Sequence, residues 1–358
     1  MSLVTTSKQE SEKLVDKLEI GEDVPPVRVA GGQARQALGA IWMANPSTEG
    51  EHATVVLADI SRRPKIGSRV IVFANEKGGV GKSTLAFHTA VSLAKSGEKV
   101  LAIDLDRRQQ SLAHALENRA ATCRSLGVEL PGPRSLLLEH HSGAMLAQEI
   151  ARVGADCSTI IVDVPGNDSP IARRAIALAD KLITPVNANF VDLDSIARFS
   201  PATGRLTAIG SFAKLVAELR EARIAAGFSD IEWLLVKNRV RHSERLQLDR
   251  FDAAARQLPA QLDLSLVEGL PERVAFRDLF MFGLIHDDCR MLPGLNGARI
   301  GATPELAAML QEVGLIPDPL HKHVQPVRRS RPPARSLQRY RQSLQRHVGI
   351  EEPVSAPL

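Results

Sequence analysis

Lys77-Gly78-Gly79-Val80-Gly81-Lys82-Ser83-Thr84 is the stretch that decides the fold. The apolar run Arg69-Val70-Ile71-Val72-Phe73-Ala74 leads into it, and a helical pattern from Leu85 to Ala94 leads out. Strand, glycine loop and helix in that order are the setting of a phosphate-binding loop. Glycines let the backbone N–H groups of Gly78, Gly79, Val80, Gly81 and the residues up to Thr84 close around phosphate oxygens. The helix that follows turns its positive dipole end toward them. Lys82 is placed for the β- and γ-phosphates and Ser83 for Mg2+. Lys77 is the unusual residue: it stands at the far end of the loop, where an ordinary phosphate site needs no lysine. It cannot readily fold back onto phosphates held by its own chain. It is therefore read as reaching across a two-fold interface to a nucleotide held by a second copy.

Outward from the loop, buried strands read as short, continuous apolar runs. They are Lys99 to Asp104, Thr159 to Asp163, Lys181 to Val186 and Glu232 to Asn238. Helical patterns lie between them, at 83–96, 110–119, 170–179, 204–225 and 242–257. This alternation predicts an α/β fold, a doubly wound, mostly parallel sheet with helices on both faces. In such sheets ligands bind beyond the carboxyl ends of the strands.

The chemistry sits at those ends. Asp104-Leu105-Asp106 closes the second strand, and alternation along an extended chain puts both carboxylates on one side. Two acidic groups beside one phosphate site suit water positioning and work on Mg2+. Asp163, followed by Val164-Pro165-Gly166, has the pattern of a strand-end acid that serves Mg2+. Ser83, Asp104 and Asp163 are thus the metal-side candidates, and Gly166 offers a backbone N–H as a sensor of the γ-phosphate. Asn238 and Arg239 end a later strand. An asparagine amide presents both a donor and an acceptor, which suits the edge of an adenine ring, although a turn-forming role fits the same residue.

Bulk properties narrow the class. The chain has 358 residues, is 44% apolar and carries a net charge of +4. No uncharged apolar stretch of about twenty residues is present, which argues against a membrane-spanning helix. Residues Met1 to Glu22 lack the apolar run of a secretory signal, and Cys123, Cys157 and Cys289 share no close spacing. A cytoplasmic, reducing location is expected. Three regions are expected: a largely flexible extension over 1–67, a folded unit over 68–316 and a basic Pro/Arg-rich tail over 317–358. The extension holds a candidate helix from Glu12 to Ile20 and a candidate strand at Thr54-Val55-Val56-Leu57. From Leu320 to Ile350 the tail has eight Lys or Arg residues and no acidic one, a composition suited to an anionic surface.

The loop, the paired aspartates and the Asp163 end together resemble the deviant Walker A ATPases of the ParA/MinD superfamily, and within it most closely the MipZ ATPases. The resemblance covers roughly residues 69–316. It extends through Asn75-Glu76-Lys77, Asp104-Leu105-Asp106-Arg107-Arg108-Gln109, Glu117-Asn118-Arg119 and Asp163-Val164-Pro165-Gly166-Asn167-Asp168-Ser169. It continues in Phe190-Val191-Asp192-Leu193-Asp194, Lys237-Asn238-Arg239 and the run from Arg273 to Phe280. Arg107-Arg108 stands where ParA partition proteins usually have Pro-Gln. The resemblance implies an ATP- and Mg2+-dependent homodimer in which Lys77 touches the partner's nucleotide, Lys82 binds phosphate and Asp106 orients the attacking water. It further implies nonspecific DNA binding, association with the nucleoid, and ParB-like and FtsZ-like partners. The DNA-facing candidates are Arg241, Arg245, Arg250, Arg273 and Arg277.

Four other readings compete with this one. A ParA-type partition ATPase would use the same site to move DNA cargo. A membrane-cycling ATPase of the MinD type is disfavoured, because the basic amphipathic segment Arg335 to Val348 has a thin apolar face. A non-hydrolysing, nucleotide-dependent scaffold is disfavoured because every catalytic position is filled. The iron protein of nitrogenase shares the loop but needs bridging cysteines, which the spacing here does not supply.

Overall fold

The computed structural model of the chain describes residues 51–138, 143–241, 245–292 and 304–316. Seven parallel strands make the main sheet: β1 (Arg69–Phe73), β2 (Val100–Asp104), β3 (Arg134–Leu137), β4 (Thr159–Asp163), β5 (Lys181–Asn187), β8 (Glu232–Asn238) and β9 (Ser265–Glu268), in the order β3-β2-β4-β1-β5-β8-β9. Between β5 and β8 the chain makes a small antiparallel hairpin of β6 (Ala197–Phe199) and β7 (Leu206–Ile209). The chain moves outward from β1 in both directions, as expected of a doubly wound sheet.

The central strands are buried on both faces, which their continuous apolar runs require. The helix after the loop, α2 (Lys82–Lys95), lays Leu85, Ala86, Ala90 and Leu93 against Ile71, Phe73, Ile161 and Val236 of the sheet. Burial of each large aliphatic side chain here contributes about 1.5–3 kcal/mol.

Register fixes the site. Asp104 of β2 lies opposite Asp163 of β4, and Asn187 of β5 lies opposite Asn238 of β8. Two acids and two amides therefore flank the end of β1 from opposite sides. Among the described residues, no helix is long and apolar enough to cross a membrane.

Several expectations need correction. Thr54–Leu57 belongs to a helix, α1 (Ala53–Ser61), and not to a strand. Its buried residues Ala53, Val56, Leu57 and Ile60 recur at helical spacing, so tertiary packing overrides the β-branched pair Val55-Val56. The end of the segment read as flexible is thus a packed helix. Arg174 of α5 (Pro170–Leu178) pairs with Glu51 and Asp59 to hold it. The helical reading of 204–225 splits into β7 and α7 (Ser211–Ala225), with Gly210 between them. Strands β3 and β9 escaped the sequence reading because both lie at sheet edges and lack long apolar runs. The candidate helix at Glu12 to Ile20, the tail over 317–358 and the basic segment at Arg335 to Val348 lie outside the described residues.

A charged anchor ties the C-terminal part to this body. Asp288 is fully buried and accepts from Arg119 of α3 (Ser111–Leu126), from Lys95 and from the Ile285 N–H. Arg119 also donates to the carbonyls of Gly283 and Pro131. These ties hold the Asp288 carboxyl below its ordinary value despite its burial. Gly283 has φ of +64°, and a β-carbon there would stand 2.1 Å from the Arg119 nitrogen and 2.4 Å from the Ala115 carbonyl oxygen. Gly283→Ala is expected to destabilise the chain by on the order of 3 kcal/mol in denaturant unfolding, and an unchanged midpoint would contradict this packing.

Candidate active site

The loop between β1 and α2 is built from backbone. Gly81, at the head of α2, has φ of +93° and no side-chain cap. The first amides of the helix therefore point outward with no side-chain acceptor, the arrangement that favours an anion. A β-carbon on Gly81 would stand 2.2 Å from Asn238 Nδ2, so the position admits only glycine. Lys82 is buried, and its Nζ donates to the Lys77 carbonyl at 2.9 Å. Burial lowers the Lys82 pKa, and the charges of Asp163 and Asp106 offset part of that shift. Gly166 lies against the same group, since a β-carbon on it would be 3.2 Å from Lys82 Nζ. The loop head and the loop after β4 thus meet at one ammonium.

Asp163 is 1% exposed, and neither carboxylate oxygen has a well-formed hydrogen bond. Burial pushes its pKa to about 8, the adjacent Asp104 adds to the rise, and Ser83 and Lys82 counter it only in part. A carboxylate without a well-formed hydrogen bond beside a hydroxyl is an oxygen pair that fits Mg2+ carried by a phosphate chain, and the nearby buried ammonium suits the phosphates. Ser83 and Asp163 would hold the ion, while Lys82 and the amides from Gly78 to Thr84 would hold the phosphates. Among the described residues, no group of three or more His, Cys, Asp or Glu is placed to hold a metal ion unaided. A Mg2+ shared with phosphates does not need one.

Asp104 is bonded to the backbone around it. One of its oxygens accepts from the Asp106 N–H at 2.9 Å, and the other from the Leu112 and Ala113 N–H groups at 2.9 and 3.1 Å. Its carboxylate is a clamp that joins the Asp106 loop to the start of α3. Burial raises its pKa against these amides. Asp106 is partly exposed and accepts from the N–H groups of Arg108 and Gln109, both at 3.0 Å.

Lys77 is half-buried at the lip of the loop, beside the exposed Gly78 and Gly79. It makes no ion pair with a described residue. Val80 is fully buried, and its carbonyl accepts from Asn238 Nδ2 at 2.8 Å. That bond ties the strand end to the loop, and Asn238 keeps its amide oxygen and a second N–H for a ligand. Arg239 adopts φ of +51° and lines a cavity of about 220 Å3 with Asn187, Ala188, Asn189, Arg241, Gln247, Leu248 and Glu272. The cavity liner Asn187 has a buried Oδ1 with no partner and was missed by the sequence reading. The signal was present, because Lys181–Asn187 is an apolar run that ends in asparagine, as Glu232–Asn238 does.

The arginines scatter. Arg241 pairs with Glu272 at the cavity and Arg273 pairs with Glu305, so neither stands as a free cation of a binding face. Arg245 and Arg250 are exposed on α8 (Arg245–Ala255), and Arg277 is exposed on α10 (Val274–Met281).

A family model described as ATPase MipZ matches residues 69–317. The chromosome-partitioning ATPase Soj of Thermus thermophilus is 27% identical over 208 residues, which are 49% of this chain and 84% of Soj. The chromosome partitioning protein ParA of Caulobacter vibrioides is 27% identical over 158 residues, 36% of this chain and 59% of ParA. Among solved structures, the MinC:MinD cell division protein complex of Aquifex aeolicus is similar at a TM-score of 0.45 and 17% identity, covering 72% of this chain and 99% of that one.

The Asp163 carboxyl titrates near 8 in the folded chain and near 3.8 when unfolded, so folding takes up a proton between those values. The nucleotide-free chain should therefore lose stability as pH rises through that window, and Asp163→Asn should remove that part of the slope. Denaturant unfolding of both chains at about pH 5 and about pH 8.5 checks this, and parallel slopes would contradict it.

Proposed function

The chain belongs to the MipZ family of ATPases, and from that membership we propose that it is an ATP-dependent dimerisation switch that hydrolyses ATP to ADP and phosphate. The observation that carries the reading is Lys77. It is presented at the lip of the loop, without an ion pair among the described residues, and its own carbonyl holds Lys82. A lysine so placed is suited to a phosphate on a second copy.

In this reading two copies face each other across the strand ends, each supplying Lys77 to the other's nucleotide. Lys82 and the helix amides hold the phosphates of their own chain. Bound at Ser83 and Asp163, Mg2+ would supply positive charge to the phosphate oxygens. Asp106 orients the attacking water, and the Gly166 N–H reports the γ-phosphate. Loss of that phosphate weakens the interface and returns the monomer. Exposed Phe190 and Val191, next to the cavity liner Asn189, supply apolar surface on the same face.

We further propose nonspecific DNA binding, with the exposed Arg245, Arg250 and Arg277 suited to it, the last 3.8 Å from Asp278, and action on division-site placement through ParB-like and FtsZ-like partners in the cytoplasm. A second reading, a partition ATPase that moves DNA cargo, is supported by the match across 84% of Soj.

Size-exclusion chromatography with ATP against ADP tests the switch. The wild type should dimerise with ATP only, Asp106→Ala should trap the dimer, and Lys82→Ala should abolish it. A wild type that dimerises equally with ADP, or that shows no ATP turnover with DNA present, would favour a non-hydrolysing scaffold.

A further inference from the structure

Lys77 can serve a second copy only if its backbone is held still, and one side chain does this. Asn75, 2% exposed at the end of β1, has both ends of its amide engaged. Its Oδ1 accepts from the Lys77 N–H at 3.0 Å and from the Ser195 hydroxyl at 3.2 Å. Its Nδ2 donates to the Pro185 carbonyl at 2.8 Å. The amide orientation is therefore determined, since exchanging oxygen and nitrogen would break the bonds to the Lys77 N–H and the Pro185 carbonyl, whereas the Ser195 hydroxyl can bond either atom. Asn75 ties the head of the loop to β5 on one side and to the base of the β6–β7 hairpin on the other. The neighbouring residue adds a tie just after that hairpin: Ser211, at the start of α7, donates to Glu76 Oε2 at 2.6 Å.

We propose that Asn75 is the positioning residue for Lys77, setting the peptide from which this lysine reaches the partner's nucleotide. The inference rests on the trans-acting reading of Lys77. Asn75 itself touches no phosphate in this scheme. The amides that bind phosphate within one chain begin at Gly78 and are held separately, by Asn238 on the Val80 carbonyl. Loss of Asn75 should thus weaken the dimer while sparing nucleotide binding by the monomer.

The test is a double-mutant cycle on the full chain, with the non-hydrolysed analogue AMPPNP and Mg2+, and with dimer dissociation read by sedimentation. Lys77→Ala and Asn75→Ala should each weaken the dimer by about tenfold or more, and the double variant should be no weaker than Lys77→Ala alone. Nucleotide affinity measured at protein concentrations below dimerisation should stay within about threefold of wild type. Asn75→Asp guards against a folding defect because it is isosteric. Its ionised carboxylate cannot donate to the Pro185 carbonyl, whereas its protonated form can. The deficit of Asn75→Asp relative to wild type should shrink as pH falls, which a general packing loss would not produce. A Lys77→Ala chain that dimerises normally would overturn the trans reading itself. If Lys77→Ala is effective, additive losses, an Asn75→Ala dimer of normal strength or a pH-independent deficit in Asn75→Asp would overturn the positioning role alone.

Discussion

Asp163 keeps a carboxyl group buried at the end of β4, with neither oxygen in a well-formed hydrogen bond and a second acid directly opposite it in the register. A buried group in that condition costs free energy, and burial drives its pKa to about 8 to keep it neutral. Much of the nearby structure arranges the other charges around it. Asp104 has its oxygens filled by three backbone N–H groups, so it adds a negative field without needing a cation. Lys82 is held off the carboxylate by the Lys77 carbonyl. The cost is borne at the place where a cation carried by phosphates would relieve it, which is the usual relation between local instability and function.

Around that acid, side-chain amides and backbone carbonyls hold the loop in place. Asn75 grips its head and Asn238 its middle, and each is anchored in the end of a different strand. The loop after β4 is braced from outside: Arg173, buried in α5, donates to both oxygens of Asp168 and to the Glu51 carbonyl. Through Arg173 the backbone just ahead of α1 touches the same loop that brings Gly166 to Lys82. The segment that the sequence presents as an appendage is thus fastened, at its described end, to the part of the site expected to sense phosphate.

What was legible in the chain followed the strength of the local signal. Strands β1, β2, β4, β5 and β8 stand out because burial on both faces demands unbroken apolar runs, and their ends expose Asp104, Asp163 and Asn238. Edge strands β3 and β9 carry no such demand. Helix α1 was misread because Val55-Val56 favours a strand locally, while packing on its neighbours selects the helix. At the site, residue type located the chemistry but not its wiring. An aspartate at a strand end does not announce whether its oxygens lack well-formed hydrogen bonds, as those of Asp163 do, or accept from three backbone amides, as those of Asp104 do. Likewise nothing local distinguishes Asn238 on the loop from Asn187 at the cavity.

The central claim is that Lys77 acts on the nucleotide of the other copy while Asp106 acts on its own. Mixing Lys77→Ala with Asp106→Ala chains tests this directly, because both variants keep Lys82 and the loop amides. In the mixed dimer, the site on the Lys77→Ala chain has its own Asp106 and receives Lys77 from the partner. The account predicts ATP turnover from the mixture that neither variant shows alone. A mixture as inactive as its components, with both variants still binding ATP, would contradict it.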